Sequence, residues 1–247
     1  MTNDQQPIFE ARKLVKSYGS YKALNNVDFA IRKGEVIGLL GDNGAGKSTL
    51  VKALSGVVRC NSGTFLAGGK EIPMRNRMDS QNAGIETIYQ DTAMVDSMSI
   101  ARNLFLGREP VGPGGVLNQR EMLESAVDIL KNAVNISGID DPEKEVGLLS
   151  GGQKQAVAIA RAIHFKRSIL LLDEPTSALS VRETEHLLEY VLQLKSEGIS
   201  SALVTHNLYH AFQVCDRFVV MSRGEVKLTV SKADTTLEEV TQQVVLT

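Results

Sequence analysis

Residues 41–48 read Gly-Asp-Asn-Gly-Ala-Gly-Lys-Ser, a Gly-x-x-x-x-Gly-Lys-Ser pattern in which each fixed position has a task in holding phosphates. Glycines let the backbone curl until its N–H groups converge on phosphate oxygens. The helix expected next turns the positive end of its dipole on the same anion. Lys47 has the reach for β- and γ-phosphates, and the Ser48 hydroxyl can ligate Mg²⁺. Asp42, Asn43, Gly44 and Ala45 fill the loop between Gly41 and Gly46, and Thr49 extends it into the helix. A chance glycine turn is the competing reading. The apolar run Val36–Leu40 before the loop and the helical pattern over 47–57 after it favour phosphate binding.

Binding a nucleotide leaves open what is done with it. A GTPase would need an Asn-Lys-x-Asp base reader, which is absent, and nothing marks the acceptor site and lid of a small-molecule kinase. Hydrolysis needs an acid that holds the metal and a residue that positions water. The run Ile169-Leu170-Leu171-Leu172-Asp173-Glu174 supplies both at the end of a buried strand. Asp173 would hold Mg²⁺, mostly through water, and Glu174 would polarise the attacking water. Alone, two acids ending a strand could simply cap the helix after Pro175. Beside a phosphate loop the catalytic reading is the stronger one.

A third cluster is Leu149-Ser150-Gly151-Gly152-Gln153. Ser-x-x-Gln is a capping box, so this stretch starts a helix over 153–164 whatever else it does. Two glycines in a first turn cost up to ~1 kcal/mol each against Ala, and a mere cap would not need them. They make sense if a ligand must approach the backbone closely, and an anion is the natural ligand at a helix N-terminus.

With these motifs in this order, the chain resembles the ATP-binding subunit of an ABC transporter over roughly residues 8 to 230. Gly41–Ser48 is similar to that family's Walker A, Ile169–Glu174 to its Walker B with the catalytic glutamate, and Leu149–Gln153 to its signature. The resemblance implies further sites. Gln90 in Ile88-Tyr89-Gln90-Asp91 matches a glutamine that contacts the metal and the reacting water, at the entrance to a helical subdomain. His206 in Val204-Thr205-His206 matches a histidine after a strand, and Tyr18 in Lys16-Ser17-Tyr18-Gly19 matches an aromatic stacked on adenine. Taken singly, His206 reads as a helix-cap or core histidine, and Tyr18 and Gln90 as surface or turn residues. The family also implies a mechanism. Two such chains pack head to tail, each ATP lying between the Walker A of one and Ser150–Gln153 of the other. Binding closes the homodimer and hydrolysis reopens it, driving membrane permease subunits through a groove near Gln90.

One departure stands out. After Pro175–Leu179 the family usually has Asp, whereas this chain has Ser180. Ser180-x-x-Glu183 is itself a capping box, so helix-start chemistry is kept while a charge is lost. Gly84–Gln90 and Asn103–Glu109 resemble the ATPases of bacterial monosaccharide importers of the ribose, xylose and fructose type. Many of those carry two fused halves, and the single set here resembles the fructose-type branch. The implied setting is the cytoplasmic face of a bacterial inner membrane, peripheral, with a periplasmic sugar-binding protein as an indirect partner. ATPases of other importers or exporters, non-transport ABC ATPases and a nucleotide switch without turnover are the alternatives.

These residues need an α/β scaffold. Short apolar runs alternate with longer helical patterns: strands at 8–15 and 27–32 in an antiparallel layer, and buried strands at 36–40, 169–172, 202–205 and 218–221. From 92 to 165 the patterns are helical. Ser99 caps one helix running to Leu106, and Asn118 with Glu121 starts another, with Met122, Val127, Leu130 and Val134 at helical spacing. A short acidic helix is expected at 235–245, without a functional assignment. The expected architecture is a P-loop NTPase core, a mostly parallel sheet with helices on both faces, carrying an antiparallel β subdomain and an inserted helical subdomain. One domain would span 1–247, with 1–91 and 166–247 forming the core and 92–165 the helical signature subdomain.

Bulk properties agree. The 247 residues are 43% apolar and 23% charged, with a net charge of −2 and no Trp. The chain lacks the basic excess and aromatic surface of a nucleic-acid binder. Cys60 and Cys215 are far apart and match no metal spacing, which fits a reducing compartment. No apolar run approaches the ~20 residues that span a bilayer, so any membrane spans must come from other chains.

Overall fold

Four short runs of apolar residues, too short for helices and bounded by polar turns, pair in parallel at the centre of the molecule. A computed structural model of the chain describes residues 6–89, 94–133, 139, 141–165, 168–177 and 179–246. The strands are β1 (Phe9–Tyr18), β2 (Tyr21–Ile31), β3 (Val36–Leu40), β4 (Ser62–Ala67), β5 (Lys70–Ile72), β6 (Ile85–Ile88), β7 (Ile169–Asp173), β8 (Ser200–Val204), β9 (Arg217–Ser222) and β10 (Glu225–Ser231). The helices are α1 (Lys47–Leu54), α2 (Arg77–Asn82), α3 (Ile100–Phe105), α4 (Gln119–Ala133), α5 (Gly151–His164), α6 (Val181–Ser196), α7 (Leu208–Val214) and α8 (Leu237–Leu246).

The larger sheet runs β10-β9-β3-β8-β7-β6, parallel from β9 to β6 with β10 antiparallel at one edge. The smaller sheet is antiparallel, ordered β2-β1-β4-β5. Successive side chains on a strand point to opposite faces, and β3 and β7 divide accordingly. Ile37, Leu39, Ile169 and Leu171 enter a core shared with Phe9, Leu14, Phe29 and Phe65 of the small sheet and Leu50 and Leu54 of α1. Val36, Leu40, Leu170 and Leu172 enter a second core beneath Leu187 and Val191 of α6, Val214 of α7 and Val240 of α8. Covering on both faces is why these strands are continuously apolar rather than alternating. A third core joins α3, α4 and α5 through Leu104, Phe105, Met122, Ile129, Val157 and Ala160. Helix α5 also gives Ala158, Ile159 and Ala162 to the second core, so it is packed on both sides.

Several expected boundaries change. The first two strands extend to a tight hairpin, with Tyr18 paired to Tyr21, because Asn25 and Asn26 do not break the second strand. Asn26 takes a left-handed φ of 54° inside it, at a shift in register. Helix α1 ends at Leu54 rather than 57, where Gly56 turns the chain with φ 70°. On α4 the buried stripe is Met122, Ala126, Ile129 and Leu130, with Val127 only half-buried. Val134 lies outside the described residues.

Candidate functional site

Strands β3, β7 and β8 all stop at the same edge of the parallel sheet, and each releases chemically capable residues there. This is the edge at which open α/β sheets hold ligands. From β3 the chain enters Gly41–Gly46, then α1. Gly41 has φ 141°, and a Cβ on it would overlap the carbonyl oxygen of Met221. Gly46 has φ 106°, and a Cβ there would stand 2.6 Å from the Ala23 carbonyl oxygen. These two are glycines because β2 and β9 crowd them. Gly44, with φ 83° and open space where its Cβ would be, is glycine for its conformation. Asp42, Asn43, Gly44 and Ser48 are exposed, Thr49 is half-buried and Ala45 is buried.

Gly46 caps α1 without any side-chain acceptor. Among the described residues every other α-helix starts on a Ser, Thr or Asn whose side-chain oxygen accepts a first-turn amide. Those residues are Asn76, Ser99, Asn118, Ser150, Ser180, Asn207 and Thr236. The start of α1 alone is left for an acceptor from outside its own chain segment. Lys47, 8% exposed as a residue, folds its ammonium back onto the carbonyl oxygens of Gly41 at 2.5 Å and Asp42 at 3.0 Å. Burial pulls its pKa below the ordinary lysine value, opposed by Glu174, Asp42 and Asp173. Burial raises the carboxyl of Asp173, as does the neighbouring Glu174, against the pull of Lys52 and Lys47. An added cation beside Asp173 would relieve both effects.

Glu174 follows Asp173 with φ 49°, a left-handed conformation rarely adopted by a non-glycine residue. Its amide donates to the Val204 carbonyl at 2.9 Å, and its own carbonyl accepts from the Ser177 amide and hydroxyl. The bend aims its side chain at the end of β8. There its Oε2 lies 2.9 Å from Nδ1 of His206. Such strain clusters at functional positions. His206 itself is exposed. Behind it, His210 Nδ1 lies 3.3 Å from the Thr176 hydroxyl and its Nε2 lies 3.2 Å from Asn207 Nδ2.

Tyr18 is 49% exposed at the tip of the β1–β2 hairpin, with Lys16 Nζ 5.0 Å from its ring centre. Tyr21, which no motif marks in the sequence, donates its hydroxyl to the Gly44 carbonyl at 3.1 Å and anchors the hairpin on the Gly41–Gly46 loop. The available signal was the Tyr18-Gly19-Ser20-Tyr21 run, two residues of turn type between aromatic residues. Gln90 lies outside the described residues.

The capping box at Ser150 forms: Ser150 N–H donates to Gln153 Oε1 at 3.0 Å, and Gln153 N–H donates to the Ser150 hydroxyl oxygen at 3.3 Å. The helix begins at Gly151, so both glycines lie in its first turn. What approaches Gly152 is Glu183: a Cβ there would stand 2.8 Å from that side chain. The second capping box also forms, with Ser180 N–H donating to Glu183 Oε2 at 3.0 Å and Glu183 N–H to Ser180 Oγ at 3.4 Å.

A family model described as ABC transporter matches residues 24–177. The chain is similar to a xylose/arabinose import ATP-binding protein of Sulfolobus acidocaldarius, 43% identical over 95% of this chain and 92% of that protein. It is also 39% identical to a fructose import ATP-binding protein of Rhizobium meliloti, over 95% of this chain and 92% of that one. A ribose import ATP-binding protein of Geobacillus kaustophilus is 37% identical over 96% of this chain, but only 48% of that longer protein is covered. Among solved structures, the ADP conformation of an ABC transporter's ATP-binding cassette superimposes with a TM-score of 0.83 at 26% identity, covering 98% of each chain. A nucleotide-free cassette gives 0.81 at 26% identity, over 98% of this chain and 96% of that one.

Proposed function

The chain belongs to the ABC transporter family as an ATP-binding subunit, and on that premise we propose that it is the ATPase that powers monosaccharide import through a membrane permease. The observation that carries the hydrolytic reading is Glu174, bent into a strained φ of 49° with its carboxylate 2.9 Å from His206, beside a helix start without a cap of its own.

The residues divide the work by position. The free amides at the start of α1 and the ammonium of Lys47 take the phosphates, Lys47 giving up its bonds to Gly41 and Asp42. Tyr18 offers a face to the base, and Tyr21 holds the loop beneath it. Mg²⁺ fits Ser48 and Asp173, where an exposed hydroxyl and a carboxyl raised by burial are ready for a cation. Among the described residues no cluster of three or more His, Cys, Asp or Glu could hold a metal, so phosphate oxygens would complete its shell. When bound, the ion neutralises phosphate charge. Glu174 polarises water, and His206 fixes the direction of that carboxylate. Gln90 is assigned to the same water and metal. Ser150, Gly151, Gly152 and Gln153 serve the nucleotide of a second copy, so the working unit is a homodimer on permease subunits, with a sugar-binding protein acting at a distance. Among the described residues no helix is long and apolar enough to cross a membrane.

Support for the sugar comes from the xylose/arabinose, fructose and ribose import proteins to which the chain is 37–43% identical. Purified protein should hydrolyse ATP with Mg²⁺, and in proteoliposomes with a monosaccharide permease, hydrolysis should rise with a pentose or hexose and the matching binding protein. Stimulation by amino acids or peptides but no sugar would refute the substrate assignment.

A further inference from the structure

One carboxylate makes contacts that neither the capping box nor the hydrolytic site requires. Glu183, in the first turn of α6, divides its two oxygens between two helix starts. Oε2 accepts from the amide of Ser180 at 3.0 Å and its hydroxyl at 2.8 Å, closing the local capping box. Oε1 reaches another element, accepting from the hydroxyl of Ser150 at 2.8 Å and the amide of Gly152 at 3.2 Å. All four donors are neutral, and together they give an anion a hydrogen-bonded seat at the N-terminus of α5. Gly152 has no side chain where that carboxylate presses in: a Cβ would come within 2.8 Å of Glu183 Cγ and Oε1.

We propose that Glu183 is an internal stand-in for the incoming nucleotide: it occupies the Ser150 hydroxyl and Gly152 amide that the second copy's ATP must take, so closure of the pair is an exchange of one anion for another. The inference rests on the shared-site reading above. On that reading the phosphate of one chain needs the same two donors on the other, and an anion already bound there competes with it. The competitor is tethered, so its effective concentration is fixed and only the ATP-loaded partner varies. Glu183 therefore acts as a positioning residue that sets how much ATP closes the dimer. Its carboxyl is held down to about 2, first by the Ser180 amide and hydroxyl and then by the Ser150 hydroxyl, so it stays an anion throughout the working pH range. Ser180, where the family usually has Asp, suits this arrangement, because an aspartate there would set a second negative charge against Glu183.

The test uses the full chain with Glu174→Gln, which should hold ATP without turnover, and follows dimer formation by sedimentation as Mg-ATP is raised. Adding Glu183→Ala should lower the ATP concentration at half-dimerisation about tenfold, as expected for removing a charge-assisted competitor. Glu183→Gln, which can keep the cap on α6 without the charge, should lower it in the same direction. In the Glu174-intact protein, Glu183→Gln should lower the KM for ATP with no rise in kcat. A merely structural role predicts the opposite sign, because a loosened α6 would weaken the dimer and raise the ATP requirement. If the Glu174→Gln parent dimerises with ATP but both Glu183 variants share its midpoint or exceed it, the stand-in is overturned and the shared site stands. If the parent fails to dimerise at any ATP concentration, both are overturned.

Discussion

Holding Glu174 at φ 49° costs a side-chain-bearing residue about 1 kcal/mol, and the return is a carboxylate aimed at His206. Exchange of that residue should therefore separate stability from turnover. Glu174→Gly removes the strain and should raise the melting temperature by about 3 °C for about 1 kcal/mol, while kcat falls by roughly 10²-fold or more. Calorimetry and a phosphate-release assay on one preparation read both, and a melting temperature that falls would contradict stored strain. His206→Ala should lower kcat by about 10²-fold while leaving ATP affinity within a few-fold, because it removes the group that orients Glu174 and not one that grips phosphate. Glu174 stood out in sequence because it follows directly on a buried apolar run beside a phosphate-loop pattern, whereas His206 was marked only by the family resemblance and meets Glu174 only once β7 and β8 pair. Tyr21 was not, since its partner Gly44 is brought near only by the packing of the hairpin on the loop.

At the scale of elements, the starts of helices were the most readable feature. The caps at Ser99, Asn118, Ser150 and Ser180 all form, because a capping box is a contact between residues three apart. Three antiparallel strands were the least readable. Strands β4 and β10 are exposed along much of one side, and the three-residue β5 is polar or half-exposed, so their apolar pattern is thin. Ser180 and Ser150 are far apart in sequence, so nothing local announces that Glu183 serves both. The same carboxylate gives a pH prediction. Its folded pKa lies below the ordinary 4.5, at about 2. The stabilisation it confers is thus complete above 4.5 and lost as pH falls from there towards 2. Urea unfolding across that window should show a shallower loss of stability in Glu183→Gln than in the parent. A second junction is Glu86 of β6, 4% exposed, which pairs with Arg77 of α2 at 3.1 Å and with Arg108, beyond α3, at 3.4 Å. Glu86→Ala would strand those guanidinium groups and should cost roughly 2 kcal/mol, or about 6 °C in melting temperature. An unshifted melting curve would show the junction to be dispensable.

The whole molecule is two sheets and a helical cluster arranged so that the proposed nucleotide contacts gather at strand and helix ends. Helix α5, shared between the central core and the helical core, ties the Ser150 end of the molecule to the sheet that carries Asp173. Because the start of α1 has no side-chain cap, bound nucleotide should stabilise the fold as a whole. At a hundredfold excess over Kd, ATP would contribute about 2.7 kcal/mol. A thermal-shift titration should rise accordingly and be abolished by Lys47→Ala. The uncapped helix also carries a consequence for the life of the subunit in a cell. Differences of 1–2 kcal/mol change protein abundance several-fold through degradation of the opened form. A subunit that borrows a helix cap from its fuel would be cleared faster when that fuel runs low, so starvation would thin the importer's engine as well as idle it. Limited proteolysis at graded ATP would register that as a half-life that tracks nucleotide.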